Sequence, residues 1–265
     1  MKIVVVNYGG DNFTPFARLN TKCAYKYGGV DHVYTYTPDD IDEDFRKKHA
    51  ETLSSSIGGG YWLWKPYIIK KTLYEIEDGD YLVYLDSGSS YVCGPVKPLI
   101  DEIEQKGFWL YTMQMDVIEK QYTKRDAFVL MDSDHCEYTD SGQYWAGIQI
   151  YKKCSSSIAF VNEWLSYASD RRILTNDDNT CGKENYPNFV AHRHDQSIFS
   201  LLCKKAKITP SDSIVCSLNK KVKHNIIFYL RHRRKLGAII VIITRILLML
   251  LVYQLNIQIF LNKRN

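Results

Sequence analysis

The sequence lacks the features that mark a disulfide-stabilised or zinc-binding protein. Its seven cysteines, in 265 residues, are odd in number and widely spaced, and no two of them form a CxxC pair. Disulfide frameworks and structural zinc sites usually show paired or closely spaced cysteines, so we expect neither, and free thiols suit a reducing compartment. Residues 1–6 are too short an apolar segment for a signal peptide, because polar Asn7 follows at once. We therefore expect a cytoplasmic protein.

Acidic residues are absent from the C-terminal segment 219–265. That segment holds ten of the 34 Lys and Arg residues and none of the 30 acids, so it carries a charge of +10 and the body 1–218 carries −6. Nucleic-acid enzymes more often carry positive charge on the folded body, so we expect no nucleic-acid partner. The body also has no Lys or Arg in the turn 7–12, where a nucleotidyltransferase would carry a basic, glycine-rich signature.

Long hydrophobic runs are scarce, and the longest lies in this tail. Residues 236–252 are almost wholly apolar, but Arg245 interrupts them and the basic run 231–235 precedes them. A bilayer crossing needs about 20 apolar residues, so the run is marginal for spanning. Basic residues beside an apolar segment suit an anionic lipid surface. We predict a membrane-associating helical tail on the inner face of a membrane; a core or oligomer helix is the alternative.

Strand-like and helix-like segments alternate through the body and predict one α/β domain over residues 1–218. The predicted strands lie at 3–6, 33–36, 81–85, 108–113 and 146–151, and the predicted helices at 15–27, 66–77, 124–131, 163–168 and 195–204. Such alternation is typical of a Rossmann-like, mixed but mainly parallel sheet flanked by helices. Three glycines at 58–60 are interpreted as a flexible break between elements.

Asp86 follows the apolar strand 81–85 and is the strongest candidate for chemistry. Ligands of open α/β sheets bind outside the carboxyl ends of the strands, and a carboxylate there can hold a divalent cation that binds a diphosphate. Ser87 and Gly88 complete a motif close to DxD, with glycine in place of the second acid. Glycine permits close approach of a phosphate but supplies no ligand. An aspartate capping an ordinary turn is the alternative.

A complete DxD occurs at Asp132 to Asp134, but it follows a helix-like segment instead of a strand. We interpret it as a solvated helix end.

An aromatic segment with one lysine follows the three glycines. Aromatic faces stack on bases and sugars, and a lysine can pair with a diphosphate. Trp62, Trp64 and Lys65 are therefore candidate donor contacts, together with Asn7 and Tyr8 at the end of the first strand. An aromatic loop that packs in the core is the alternative.

Two charged segments open later helices. Lys124 and Arg125 stand at a helix start, where backbone N–H groups favour anions, and either could neutralise a leaving diphosphate; a surface charge cluster is the alternative. At the last helix, His194 is a candidate metal or phosphate contact and Asp195 a candidate base, with Gln196 facing a sugar or acceptor hydroxyl. Helix capping by Asp195 is the alternative.

Taken together, segments 60–67, 79–88, 123–126, 143–153 and 192–196 resemble a family of bacterial and viral glycosyltransferases of the GT-A fold that is associated with surface polysaccharides of the capsule or O-antigen type. The resemblance covers about residues 1–205. It implies a nucleotide-diphosphate sugar donor, Mn²⁺ or Mg²⁺, and a saccharide or lipid-linked glycan acceptor.

By position, the resemblance implies that Asp86 is the first acid of the metal motif. It places Ala146 and Gly147, with Gln143, on the acceptor side, and residues 194–196 in the late catalytic segment. We therefore predict a glycosyltransferase of the hexosyltransferase type. A membrane-tethered, non-catalytic carbohydrate-binding or scaffold protein is the alternative, and a sugar-phosphate nucleotidyltransferase is a further one.

Overall fold

The computed structural model describes residues 1–88, 90–92 and 94–211, and the backbone of 215–216 and 227–229. The predicted tail over 219–265 and the domain boundary before it therefore lie outside the described residues, apart from one short strand. Within the described part of the chain, no helix has both the length and the apolar composition needed to cross a bilayer.

The secondary structure alternates as predicted. The strands are β1 (Ile3–Tyr8), β2 (His32–Tyr36), β3 (Tyr81–Leu85), β4 (Ser90–Val92), β5 (Leu110–Ile118), β6 (Gly142–Lys152), β7 (Val215–Cys216) and β8 (Ile227–Tyr229). The helices are α1 (Thr14–Tyr27), α2 (Glu43–Lys48), α3 (Ala50–Leu53), α4 (Gly58–Tyr61), α5 (Trp64–Glu75), α6 (Lys97–Lys106), α7 (Glu119–Tyr122), α8 (Arg125–Leu130), α9 (Cys136–Thr139), α10 (Ser155–Ala168), α11 (Arg171–Leu174) and α12 (Asp195–Lys205), with 3₁₀ turns at Asp11–Phe13 and Pro38–Asp40.

A five-stranded sheet in the order β2-β1-β3-β6-β5 forms the centre of the fold. β1 pairs in parallel with β2 and β3, whereas β6 is antiparallel to both β3 and β5. Four strands therefore run in one direction and β6 runs against them, which confirms the prediction of a mixed, mainly parallel sheet. A smaller sheet of β4, β8 and β7 accompanies it.

The two central strands are buried on both faces. Val4 and Val6 of β1 face one hydrophobic cluster with α5, α10 and α12, while Ile3 and Val5 face a second cluster with α1 and α6. Strands covered on both faces are expected to be apolar at every position. This is why β1 and β3 could be recognised as short, nearly continuous apolar runs.

Several elements are longer than predicted, because strand pairing extends them. β1 continues to Tyr8, since Asn7 and Tyr8 pair with Thr35 and Tyr36 of β2. β5 and β6 extend well beyond their apolar segments because they pair with each other. α5 begins at Trp64 instead of Pro66, so Lys65 lies on the helix. α6 was not predicted.

Candidate active site

Three charged side chains from distant parts of the sequence meet at the carboxyl edge of the sheet. Lys65 Nζ lies 3.2 Å from Asp86 Oδ1 and 2.7 Å from Asp195 Oδ2. The Lys65 and Asp195 side chains are only 3% and 4% exposed, whereas Asp86 is 28% exposed. Lys65 Nζ also donates to the Ala146 carbonyl at 3.5 Å. The Lys65 ammonium therefore contacts two carboxylates and one backbone carbonyl.

Each member of this cluster is placed by the start or the end of a regular element. Asp86 follows β3, and its backbone N–H donates to the Gly147 carbonyl at 2.9 Å. The Tyr84 hydroxyl donates to Asp86 Oδ1 at 2.7 Å, and the Tyr84 ring lies 5.4 Å from Lys65 Nζ. Lys65 lies in the first turn of α5, and Asp195 is the first residue of α12. Tyr84 was not predicted, although side chains two apart on a strand share a face.

Burial and charge pairing shift the pKa values in this cluster. Burial raises the pKa of Asp195 to about 6, although Lys65 opposes the shift. Burial alone would lower the pKa of Lys65, but the attraction of Asp195 and Asp86 outweighs it and raises that pKa above its usual value. Lys65 is therefore a permanent cation, while Asp195 gains its charge close to neutral pH. Titratable groups perturbed in this way are typical of functional sites.

The three glycines before Lys65 form an ordered left-handed turn. Residues 58–62 all have positive φ angles, of 58°, 58°, 99°, 54° and 59°. A left-handed conformation costs about 1–2 kcal/mol for an ordinary L-residue and nothing comparable for glycine. At Gly60 there is also no space for a side chain, since a Cβ would lie 2.8 Å from Leu53 Cα. The prediction of a flexible break is therefore wrong: this turn fixes where α5 begins.

The two tryptophans after these glycines have different surroundings. The Trp64 ring stacks on Tyr8, with centroids 3.8 Å apart and planes at 12°, and both side chains are buried. This packing matches the alternative of an aromatic loop in the core. Trp62 is half-buried and stacks on the His194 ring at 5.7 Å, with Tyr61 at 4.9 Å from the same ring.

The remaining predicted donor contacts divide between the two faces of the sheet. The Tyr8 backbone N–H donates to Ser87 Oγ at 3.3 Å, which joins the end of β1 to the turn after β3. Asn7 is fully buried, and its Nδ2 lies 3.4 Å from Thr21 Oγ1 of α1. The structure therefore brings Tyr8 and Ser87 to the edge that carries Asp86, whereas the Asn7 side chain lies under α1.

Aromatic rings cover the two glycines beside Asp86. A Cβ at Gly88 would lie 2.4 Å from Phe13 Cε1, and a Cβ at Gly147 would lie 2.5 Å from the Trp145 ring. Phe13 is exposed and covers the position where a DxD motif carries its second acid. Neither ring was predicted, because only the folded chain brings Phe13 to the turn after β3.

Lys124 and Arg125 have partners outside the cluster of Lys65, Asp86 and Asp195. Lys124 Nζ donates to the Asp177 carbonyl. Arg125 Nε lies 3.0 Å from Asp134 Oδ1, and its guanidinium lies 4.0 Å from the centre of the Tyr186 ring. These contacts hold the loop between α11 and α12. In the structure the two residues anchor this loop, and the Lys124 charge adds to the effect of burial in lowering the pKa of His194. Their role beside a leaving diphosphate stays a prediction.

The acids near this loop have partners as well. Asp134 forms ion pairs with both Arg125 and Lys183, so the interpretation of this DxD as a solvated helix end is wrong for Asp134. Asp126 is fully buried and accepts hydrogen bonds from the Thr180 backbone N–H and hydroxyl at 2.8 and 2.9 Å. The charged segment 124–126 therefore serves to position the chain that leads into α12.

Gln143 and Gln196 connect α12 to β6. Gln196 Nε2 donates to Gln143 Oε1 at 2.8 Å, and the Ala146 backbone N–H donates to Gln196 Oε1 at 3.4 Å. Gln143 Nε2 donates to Glu119 at 3.0 Å. Because a carboxylate only accepts, Glu119 fixes the orientation of the Gln143 amide and thereby that of Gln196. Gln143, predicted on the acceptor side, is fully buried behind Gln196.

The His194 ring is held in place by a backbone carbonyl, and its role as a metal ligand stays a prediction. Its Nδ1 lies 2.9 Å from the Leu174 carbonyl and must donate to it. Burial lowers the pKa of His194, so the ring is neutral at neutral pH and is no cationic phosphate contact. Within residues 1–88, 90–92 and 94–211, no three His, Cys, Asp or Glu side chains group so as to hold a metal. Of the two acids that contact Lys65, Asp86 is the one exposed enough to contribute a ligand.

Comparisons with known proteins identify the fold. No protein-family model matches the sequence, and no curated protein matches it. In structure, the chain is similar to a glycosyltransferase involved in the glycosylation of the major capsid of PBCV-1, with a TM-score of 0.50 and 13% identity over 87% of this chain and 93% of that one. The chain thus has the α/β fold of GT-A glycosyltransferases, as predicted.

Two further solved structures are similar over comparable lengths. Mouse xyloside xylosyltransferase 1, in its apo form, has a TM-score of 0.49 and 9% identity over 89% of this chain and 100% of that one. The galactosyltransferase LgtC, in complex with donor and acceptor sugar analogues, has a TM-score of 0.45 and 14% identity over 87% of each chain.

Proposed function

We propose that this protein is a glycosyltransferase that moves a sugar, of hexosyl type, from a nucleotide-diphosphate donor to a saccharide or lipid-linked glycan acceptor. The observation that carries the proposal is the shared position of Asp86 and Asp195 around the Lys65 ammonium. This cluster lies at the carboxyl edge of the sheet, where ligands of α/β folds bind. The GT-A fold supports the same reaction class.

Asp195 is the candidate base in this proposal. With a pKa of about 6, it is ionised at neutral pH and still basic enough to accept a proton from an acceptor hydroxyl. Lys65 holds the carboxylates of Asp195 and Asp86 in place. Its positive charge also offsets one of the two negative charges, so an approaching diphosphate meets less repulsion. Lys65 therefore acts on the donor through its charge, since its side chain is only 3% exposed and contacts both carboxylates.

A divalent cation fits this site through one protein carboxylate. Mg²⁺ and similar ions are commonly held by one or two carboxylates together with substrate phosphates. Asp86, the more exposed acid of the cluster, would be that ligand for Mn²⁺ or Mg²⁺, whereas Gly88 supplies none and Asp195 is buried. When bound, the cation would neutralise the leaving diphosphate. The proposal includes this ion with Asp86 as its protein ligand.

The cellular setting of the reaction belongs to the same proposal. Lipid-linked acceptors and surface-polysaccharide synthesis suit an enzyme held at the cytoplasmic face of a membrane by a basic, apolar segment such as 219–265.

Release of nucleotide from sugar donors tests this function. The full chain would be incubated separately with UDP-glucose, UDP-galactose and GDP-mannose, with Mn²⁺ present, and free UDP or GDP measured over time. We expect release from one donor type, its loss in Asp195→Asn, and no change in Asp78→Asn, whose side chain is exposed at the opposite edge of the sheet. No release from any donor would contradict catalysis, and pyrophosphate formation from a nucleoside triphosphate would indicate a nucleotidyltransferase instead.

A further inference from the structure

Three strained residues contact one another beside the charged cluster. Tyr61 and Trp62 have φ angles of 54° and 59°, and His194 has φ 51° and ψ −119°. The Tyr61 and Trp62 rings lie 4.9 and 5.7 Å from the His194 ring. Strained backbone of this kind is unfavourable and clusters at ligand sites and active sites. Here residues with positive φ from two separate segments, 61–62 and 194, have side chains in contact with one another.

The backbone angles of His194 are those of the first central residue of a type II′ turn, a position where glycine is usual. Glycine there would relieve the strain. The chain instead places an imidazole at this position and surrounds it with two aromatic rings. The arrangement therefore points to a use for the imidazole itself.

Hydrogen bonding fixes the tautomer of His194 and leaves its second ring nitrogen available as an acceptor. Since the Leu174 carbonyl can only accept, the proton is on Nδ1 and Nε2 carries a lone pair. Within the described part of the chain, nothing is bonded to Nε2. His192 differs: its Nδ1 accepts from the Lys124 backbone N–H at 3.2 Å, and its Nε2 lies 2.8 Å from the Ile173 carbonyl. His192 is thus fully used in holding the loop, whereas His194 keeps an acceptor.

We propose that Tyr61, Trp62 and His194 form a subsite for one pyranose ring of the acceptor, with a ring hydroxyl donating to His194 Nε2. This inference rests on the proposed glycosyltransferase function. The half-buried Tyr61 and Trp62 side chains offer apolar contacts to the C–H groups of a sugar, and Nε2 offers one directional polar contact. Asp195, the candidate base, is the next residue along the chain, which brings this subsite beside the charged cluster.

Saccharide binding to the full chain tests the subsite without knowledge of the natural acceptor. The probes are the methyl pyranosides of glucose, galactose, mannose and N-acetylglucosamine, followed by saturation-transfer NMR and by the imidazole ¹⁵N signals of labelled protein. The key variant is His194→Asn, because the asparagine amide can donate to the Leu174 carbonyl in place of Nδ1 while lacking Nε2. His192→Asn is the matched control, since it makes the same change at a histidine whose two nitrogens already bind backbone.

We expect the ¹⁵N signals to show an Nδ1-protonated His194, and one or more methyl pyranosides to shift its Nε2. His194→Asn should weaken that binding by about five- to tenfold, the usual effect of one neutral hydrogen bond, and His192→Asn should leave the affinity of the folded protein unchanged. UDP and GDP binding, measured in parallel, should be the same in His194→Asn and wild type.

Three results would overturn the subsite: an Nε2-protonated tautomer, equal pyranoside binding by wild type and His194→Asn, or no pyranoside binding to a protein that binds UDP or GDP. Absence of nucleotide binding as well would overturn the proposed function together with the subsite, so the two failures are distinguishable.

Discussion

Replacement of Lys65 by methionine should destabilise the protein strongly. The substitution removes the only positive charge that contacts the buried Asp195 carboxylate within the described residues, and it leaves the partly exposed Asp86 without the same partner. Removal of one member of a buried ion pair costs about 3–5 kcal/mol, because the remaining charge stays in a poorly solvated position. Methionine keeps most of the side-chain volume, so cavity formation adds little. We therefore expect the free energy of unfolding to fall by about 3 kcal/mol or more.

Urea denaturation at pH 7.5, followed by tryptophan fluorescence and far-ultraviolet circular dichroism, measures this loss. The matched control is Lys71→Met on the same helix: Lys71 pairs with Asp42, but the two side chains are 34% and 68% exposed. An exposed pair contributes about 0–1 kcal/mol, so Lys71→Met should change the free energy of unfolding little.

A double variant separates charge from packing. Adding Asp195→Asn to Lys65→Met removes the unpaired buried charge, so it should restore a substantial part of the lost stability. Equal losses in Lys65→Met and Lys71→Met, or no recovery in the double variant, would refute the view that Lys65 compensates the buried charge of Asp195.

Four other predictions concern the charge of Asp195, the turn at Gly60 and the loop held by Asp126. The nucleotide-release rate should fall about tenfold per pH unit below pH 6 and level off above it, because Asp195 must be ionised to act as a base; a profile flat down to pH 5 would contradict this. The free energy of unfolding should instead fall as pH rises, because the pKa of Asp195 is raised on folding. Urea titrations at each pH should show wild type losing stability relative to Asp195→Asn between about pH 4 and pH 6. Gly60→Ala should cost more than 1 kcal/mol in the same titrations, since φ is 99° and Leu53 Cα leaves no room for a Cβ, and an unchanged midpoint would argue against the left-handed turn. Asp126→Asn should speed hydrogen exchange at the Thr180 amide, which donates to that carboxylate, and unchanged protection there would show that the contact does not hold the loop.

Local sequence patterns were enough to predict the buried strand β3 and the acid that follows it. β3 has the predicted bounds because five consecutive buried residues and a glycine-containing turn define it without reference to any partner. Asp86 could be singled out for the same reason, since the end of a buried strand is visible in the sequence. The pairing that lengthens β5 and β6 depends on contacts between strands, so their apolar segments alone did not show it.

The site was only partly predictable because its chemistry depends on long-range contacts. Lys65 and Asp195 were both named as candidates, but nothing local shows that one ammonium serves both Asp195 and Asp86. Lys124 and Arg125 look like phosphate contacts in the sequence, yet their partners come from a loop that follows 50 residues or so later and has no periodic pattern of its own. The glycines at 58–60 signalled an unusual backbone, although composition does not distinguish a flexible segment from a left-handed turn.

Isothermal titration of the full chain with UDP and with GDP, each with Mn²⁺ and with EDTA, tests the central claim most directly. The claim is that the edge of the sheet carrying Lys65, Asp86 and Asp195 binds a nucleotide diphosphate. We predict that one nucleotide binds, that Asp86→Asn weakens it about tenfold or more, and that Asp78→Asn at the opposite edge leaves it unchanged. Failure of both nucleotides to bind a folded protein, or equal binding by wild type and Asp86→Asn, would contradict the claim.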